Sequence, residues 1–178
     1  TDETPPGADA LIAALLERLD ARGHGQRALL FEPGRSLVGN AGVLLTEVLY
    51  LKPGAEKNFC IVDAAMNDLM RPAMYEAWMG IVPCTQHDEP LQTMDVVGPV
   101  CESGDWLGRD RHLAVQAGDT LAVLSAGAYG MSMASNYNTR GRAAEVMVSG
   151  SQAWLIRDRE EPAELFRGEH LLPPLAGT

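Results

Sequence analysis

Four short segments hold residues whose types and spacing suit chemistry. The run "GPVCESGDWLG" (98–108) sets Cys101 beside Glu102 and Asp105 in a polar stretch behind an apolar one. Buried thiols usually have apolar neighbours and carboxylates usually face water, so the mixture asks for an explanation. A thiol with a pKa near ~8.5 can donate a proton to a carbanion or act as a nucleophile. Nucleophilic cysteine hydrolases need a histidine base, and His24, His87, His112 and His170 all fall in turn-like or terminal contexts outside any motif. Proton donation is therefore the favoured chemistry, and an inert half-buried cysteine is the plainer alternative.

The second segment, "EPGRS" (32–36), follows a short apolar run, and ligand sites of parallel α/β proteins gather where strands end. If "SLVGNAG" opens a helix, backbone N–H groups around Gly34 and Arg35 can face a phosphate; otherwise the segment is a strand-to-helix turn with a surface ion pair. In "DAAMNDLMRPAMYEAW" (63–78), Arg71 and Tyr75 lie four apart and share a face if "PAMYEA" is helical. A guanidinium and a phenol make a carboxylate receptor, although an aromatic ring packed on an arginine stem has the same spacing. In "AGAYGMSMASNYN" (126–138), Gly127 and Gly130 flank Tyr129, so backbone can approach a ligand closely and the tyrosine hydroxyl can reach a phosphate or an amine. A glycine-rich corner without a ligand is the alternative.

The elements that must position these residues fall into two kinds. Residues 8–22 carry Leu11, Ile12, Leu15, Leu16 and Leu19 at helical spacing, with Pro5 and Pro6 before them and Gly23 suited to the C-terminal cap. "ALLF" (28–31) then reads as a buried, parallel strand of a βα repeat. From residue 43 onward, "VLLTEVLYLK", "NFCIVDAA", "LQTMDVVGPVC", "DTLAVLSAG" and "AEVMVSGSQAWLIRD" are rich in Val, Leu and Ile and separated by turn signals. Such strands without long helices predict a mainly β, antiparallel domain, with a short helix at "PAELFRG" near the end. A lone βα unit cannot bury both faces of its strand, and the chain opens on "TDETPPGADA" without an initiator Met, which reads as a cut from something longer.

Bulk properties narrow the class. The 178 residues suit one domain with an appended piece, and a net charge of −10 disfavours nucleic acid and anionic membranes as partners. No apolar run approaches the roughly 20 residues needed to span a bilayer, and no leader pattern is visible. Cys60, Cys84 and Cys101 fit neither a disulfide framework nor a zinc site, which points to the cytoplasm and free thiols.

Taken in order, "FEPGRSLVGNAG", "DAAMNDLMRPAMY", "VGPVCESGD" and "GAYGMSMASNYN" resemble the diaminopimelate decarboxylase family, within the alanine-racemase-like, fold-type III pyridoxal-phosphate decarboxylases. "EPGR" is shared with ornithine and arginine decarboxylases, whereas "MNDLMRPAMY" followed by "CESGD" points to the diaminopimelate branch. The resemblance implies that residues 1–42 are the last βα unit of a cofactor-binding (β/α)8 barrel and residues 43–178 a C-terminal β-domain of Greek-key or sandwich type. It implies pyridoxal 5'-phosphate as cofactor, touched by Glu32, Pro33, Gly34, Arg35 and Tyr129, and meso-diaminopimelate as substrate, contacted by Arg35, Arg71, Tyr75, Glu102 and Tyr129. Cys101 matches the family's proton donor, and with Glu102 it would reach the partner subunit's site in a homodimer.

One departure is plain: the family's cofactor lysine precedes this chain's start, and Lys52 and Lys57, the only lysines, match no such position. The resemblance thus implies that this chain alone is inactive. Two other readings remain open at this stage, a sister decarboxylase acting on ornithine, arginine or carboxynorspermidine, and a non-catalytic β-domain used in assembly or regulation.

Overall fold

The computed structural model describes residues 4–173, which group into two compact units, residues up to Pro33 and residues from Gly34 onward. The first unit is built on helix α1 (Ala8–Asp20). Gly23, at φ 73°, ends it as expected, and the N–H groups of Gly23 and His24 donate to the carbonyls of Asp20 and Leu19. The apolar stripe forms, yet Leu11, Ile12, Leu15 and Leu16 are exposed. The strand expected at 28–31 does not form: Leu30 is 95% exposed and no described residue offers the run a hydrogen-bonded neighbour. A strand exists only in a ladder, so apolar character without a partner leaves extended coil.

The second unit begins with a short helix, α2 (Gly34–Val38), and a 3-10 turn at Gly39–Ala41. These residues group with the sheet that follows, so the break between units lies nine residues before the sequence-based boundary of 42/43. Six strands then form one sheet: β1 (Leu44–Lys52), β2 (Asn58–Val62), β3 (Ile81–Pro83), β4 (Gln92–Val97), β5 (Trp106–Leu113) and β6 (Thr120–Val123), in the order β3-β6-β1-β2-β4-β5. The mainly β expectation holds. Four of the five pairings are antiparallel, and β2 with β4 is parallel. Parallel neighbours cannot be joined by a tight turn, so residues 63–91 must cross over, and this connection carries helix α3 (Arg71–Tyr75) and β3.

β1 is long enough to serve two partners. Leu44–Glu47 pair with β6, and the residues from Val48 onward pair with β2 beyond an irregularity at Val48/Tyr50. Alternation puts Thr46 and Val48 of β1 and Cys60 and Val62 of β2 inside. Val48, Cys60 and Val62 meet Leu69, Met79, Ile81, Met94, Val96, Leu107, Leu113, Leu121 and Val123 in one core. The sheet curls far enough that a Cβ on Gly108 of β5 would overlap Ile81 of β3, although these strands stand at opposite edges. Two strands escaped the sequence reading. β3 is only three residues long, and β5, "WLGRDRHL", has charges at its centre. Arg111 of β5 is nevertheless buried, lying over Gly108 with its guanidinium 4.4 Å from the Trp78 ring centroid.

The remaining apolar run is a separate hairpin, β7 (Glu145–Ser149) and β8 (Gln152–Arg157), turned at Gly150 with φ 58°. Its base is closed by Glu160. That carboxylate accepts from the Arg142 N–H at 2.9 Å, Arg142 Nη1 at 2.8 Å and Asn136 Nδ2 at 2.6 Å. The expected C-terminal helix shrinks to a 3-10 turn at Pro162–Glu164, with a capping box between Glu161 and Glu164. No helix among the described residues is long and apolar enough to cross a membrane.

Burial pushes the Cys60 thiol up to about 11, helped by the charge of Asp119, while Cys84 and Cys101 are exposed. Titration of the native chain with an aromatic disulfide near pH 8 should therefore label Cys84 and Cys101 and reach Cys60 only after unfolding; prompt labelling of all three would contradict the core described here. Glu160 is held below the ordinary carboxylate range, first by the Arg142 N–H and then by Asn136. A depressed carboxylate stabilises the fold above its unfolded-state value and loses that contribution as pH falls through the folded-state value. In thermal melts, Glu160→Gln should therefore lie below the parent at neutral pH, with the gap closing as pH drops under about 4.3.

Candidate functional site

Gly127 brings the Tyr129 loop against the segment that carries Arg35. A Cβ on Gly127 would overlap the Val38 carbonyl oxygen, so only glycine lets this loop lie against the turn after α2. Ala126 N donates to Gly42 O at 2.9 Å and Gly127 N to Gly39 O at 3.1 Å, fixing the approach. Tyr129 itself sits at φ 60°, a left-handed conformation costing a non-glycine residue on the order of 1–2 kcal/mol. The outcome is that the Arg35 guanidinium lies 5.5 Å from the Tyr129 ring centroid.

The third segment arrives on the crossover. Pro72 sits in the first turn of α3, where its missing N–H leaves no helical bond unmade. Glu76, left-handed at φ 51°, ends the helix with its N–H on the Arg71 carbonyl. Arg71 and Tyr75 share a face as predicted, with the guanidinium 5.3 Å from the Tyr75 ring, and the same guanidinium is 5.5 Å from Tyr129. Arg35, Tyr129, Arg71 and Tyr75 thus form a continuous row of alternating cations and rings. Among the described residues neither arginine makes an ion pair, although the chain carries net charge −10. Tyr129 and Tyr75 are 45% and 57% exposed, so the row faces outward. Two unpaired guanidiniums beside phenols are suited to bind carboxylate or phosphate.

Cys101 and Glu102 lie on the turn between β4 and β5, both exposed and without a hydrogen bond or ion pair to the arginines among the described residues. Asp105 is what shapes this turn. Only 4% exposed, it accepts from the Val100 N–H at 2.7 Å with one oxygen and from the Met66 N–H at 2.7 Å with the other. One carboxylate therefore fastens the cysteine loop to the start of the crossover. Burial raises its pKa, against the two backbone donors. A Cβ on Gly98 would overlap Asp105 and the Ala64 carbonyl, which explains the glycine there. Glu102 Oε1 accepts from Gly104 N at 3.2 Å and Ser103 Oγ at 3.3 Å, so part of this carboxylate folds back on its own loop.

Glu32 and Pro33 belong to the first unit and are exposed, and Gly34 opens α2 with nothing within 4 Å of where a Cβ would stand. The lysines lie outside the row. Lys52 ends β1, while Lys57 is 3.0 Å from Asp95 and 3.5 Å from Asp110, and its hydrogen bond to Asp95 raises its pKa. Motif reading gave no role to Asn67 and Arg140, which hydrogen-bond to each other beneath the site. The available signal was a polar "ND" pair inside an apolar run.

With this geometry in place, the comparisons are specific. The family model described as the pyridoxal-dependent decarboxylase C-terminal sheet domain matches residues 10–127. A diaminopimelate decarboxylase of Pseudomonas fluorescens is 58% identical over 172 residues, covering 97% of this chain and 41% of the relative. The crystal structure of diaminopimelate decarboxylase from M. jannaschii in complex with L-lysine superposes with a TM-score of 0.87 at 43% identity, covering 98% of this chain and 40% of that one. The Helicobacter pylori diaminopimelate decarboxylase complexed with L-lysine gives a TM-score of 0.84 at 39% identity, over 93% of this chain and 40% of that one. The chain thus spans about two fifths of the length of these relatives. It belongs to the pyridoxal-dependent decarboxylases, as a member of their C-terminal sheet-domain family.

Proposed function

We propose that this chain is the substrate-holding, C-terminal part of a diaminopimelate decarboxylase, which releases carbon dioxide from meso-diaminopimelate to give L-lysine. The observation that carries the proposal is the pair of unpaired guanidiniums, Arg35 and Arg71, on either side of the Tyr129 ring. Relatives that align with nearly the whole chain bear this name, and both of the superposing structures named above hold L-lysine. The substrate carries two carboxylates and two ammonium groups, so a receptor with spare cations fits it.

The residues present fit part of pyridoxal phosphate. Arg35, the open backbone at Gly34 and the exposed Tyr129 ring offer a charge, N–H donors and a hydroxyl on the phosphate side, with Glu32 and Pro33 leading into them. The row contains no lysine, and the family resemblance puts the lysine that holds the cofactor in a barrel domain outside the two fifths of the relatives that this chain spans. When bound, the cofactor supplies the electron sink for the pair released as the carbon–carbon bond to the departing carboxylate breaks.

The chain's own residues do the rest. Arg71, as a bidentate fork, and Tyr75, through its hydroxyl, hold the carboxylate that is retained. Arg35 and Tyr129 fix the other end. Cys101 gives its Sγ proton to the carbon that has lost its carboxylate and is reprotonated from water. Glu102 neutralises the distal ammonium. As the family resemblance implies, Cys101 and Glu102, exposed on the turn between β4 and β5, act on the site of a second subunit in a homodimer.

In the enzyme completed with its barrel half, Arg71→Ala should cost on the order of 1.5–3 kcal/mol of substrate binding. It should appear mainly as a higher KM for diaminopimelate, and unchanged steady-state kinetics would remove Arg71 from the receptor. Cys101→Ser keeps the size and loses acidity, so kcat should fall by at least about 100-fold with cofactor absorbance intact. Wild-type turnover in that variant would place the proton donor elsewhere.

A further inference from the structure

The crossover that presents Arg71 and Tyr75 is held at its start by a polar network, centred on the buried Asn67, that no catalytic role requires. Asn67 is fully buried, four residues before Arg71. Its Oδ1 accepts from Arg140 Nε at 2.8 Å, and its Nδ2 donates to the Ser135 carbonyl and to Asp68 Oδ1, both at 3.2 Å. Its backbone carbonyl accepts from Ser135 N at 3.0 Å. Arg140 Nη2 donates to the Asp63 carbonyl at 2.6 Å and lies 3.5 Å from Asp68 Oδ2. Asp63 in turn accepts from Thr46 Oγ1 at 2.6 Å and Glu47 N at 2.8 Å, which anchors the crossover to β1.

A buried amide is tolerated only when its hydrogen bonds are made, and here both ends of the Asn67 side chain are used. The partners decide what the network does. Ser135 lies just beyond Tyr129 in the chain, Met66 is tied to the cysteine loop through Asp105, and buried Leu69 leads into α3, whose first turn holds buried Pro72. One hub thus joins the segments that carry Tyr129, Arg71 with Tyr75, and Cys101 with Glu102. Among the described residues neither Asn67 nor Arg140 hydrogen-bonds to Arg35, Arg71, Tyr75 or Tyr129. Arginine suits the hub because its planar fork addresses several acceptors at once, which an ammonium on a flexible stem cannot do in the same geometry.

We infer that Asn67 and Arg140 are positioning residues: they set α3 against the Tyr129 loop so that the carboxylate receptor keeps its geometry. The inference rests on the function proposed above. A displacement of about 1 Å at a receptor can cost up to 100-fold, so the network has leverage without touching the substrate.

The test uses the holoenzyme completed with its barrel half and compares Arg140→Lys and Asn67→Ala with the parent. Two competitive inhibitors are titrated: L-lysine, which keeps the retained carboxylate, and 1,5-diaminopentane, which has none. Both variants should weaken inhibition by L-lysine about tenfold and raise KM for diaminopimelate, while inhibition by 1,5-diaminopentane and cofactor absorbance stay as in the parent. A lower melting temperature with an unchanged lysine-to-diaminopentane ratio would reduce the network to a structural role and overturn the inference. Equal weakening of both inhibitors would overturn it too. If Asn67→Ala does not fold, Arg140→Lys, which keeps a cation and a donor, decides. Arg71→Ala in the same assay separates the two levels. If it leaves the ratio unchanged, the receptor itself has been misassigned. If it shifts the ratio and Arg140→Lys does not, only the positioning role falls.

Discussion

The parallel pairing of β2 with β4 is the constraint on which the site depends. Had these strands been antiparallel, a short turn would have joined them. Parallel register instead forces the chain to leave β2 at Asp63 and to reach β4 only at Gln92. The excursion gives the molecule α3, with Arg71 and Tyr75, and it supplies β3 to the far edge of the same sheet. A crossover of this length is a liability, because ordering it costs conformational entropy that loop backbone does not easily recover. Leu69, Pro72, Met79 and Ile81 offset that cost by entering the core, and they fix the connection at both ends of α3.

Apolar burial alone would hold the crossover without orienting it. Orientation comes from buried polar groups, whose hydrogen bonds are directional and costly to leave unmade. Asp105 joins the crossover to the cysteine loop through two short backbone donors. The buried Asn67, with the half-buried Arg140, does the same toward the loop beyond Tyr129, and the exposed Asp63 adds hydrogen bonds to β1 at the edge of the cluster. Asp68, pushed up by burial, sits within the same cluster and is steadied by the Ala65 N–H and Arg140. Among the described residues Arg35 and Arg71, which flank the Tyr129 ring, make no ion pair. Acidic residues are plentiful in the sequence, and this cluster shows where several are spent: on backbone amides and on Arg140, leaving the two receptor arginines without carboxylate partners.

The division of labour follows from the same geometry. The described residues from Gly34 onward build a core of their own and carry the receptor row, whereas the first unit leaves the α1 stripe and Leu30 in solvent. The β7–β8 hairpin likewise exposes Val146, Val148, Trp154 and Ile156. Both features are apolar surfaces without a cover, on a chain that spans about two fifths of its relatives.

Much of this was legible in the sequence, for local reasons. Helical spacing at Leu11–Leu19 and the glycine after it determine α1; the four-residue step from Arg71 to Tyr75, with Pro72 between, determines that they share a face; the glycines around Tyr129 mark a close backbone approach. The motif order was enough to point to the family. Local pattern failed where a strand's character depends on a distant neighbour. "ALLF" has strand composition and no ladder, while "WLGRDRHL" looks polar and forms a full strand, because Arg111 can be buried over Gly108 against Trp78. The parallel pairing, the meeting of Arg35 with Arg71 across Tyr129, and the Asn67–Arg140 bond join residues up to 94 positions apart. Such contacts carry no periodic signature, and only the closing of the sheet around one core decides them.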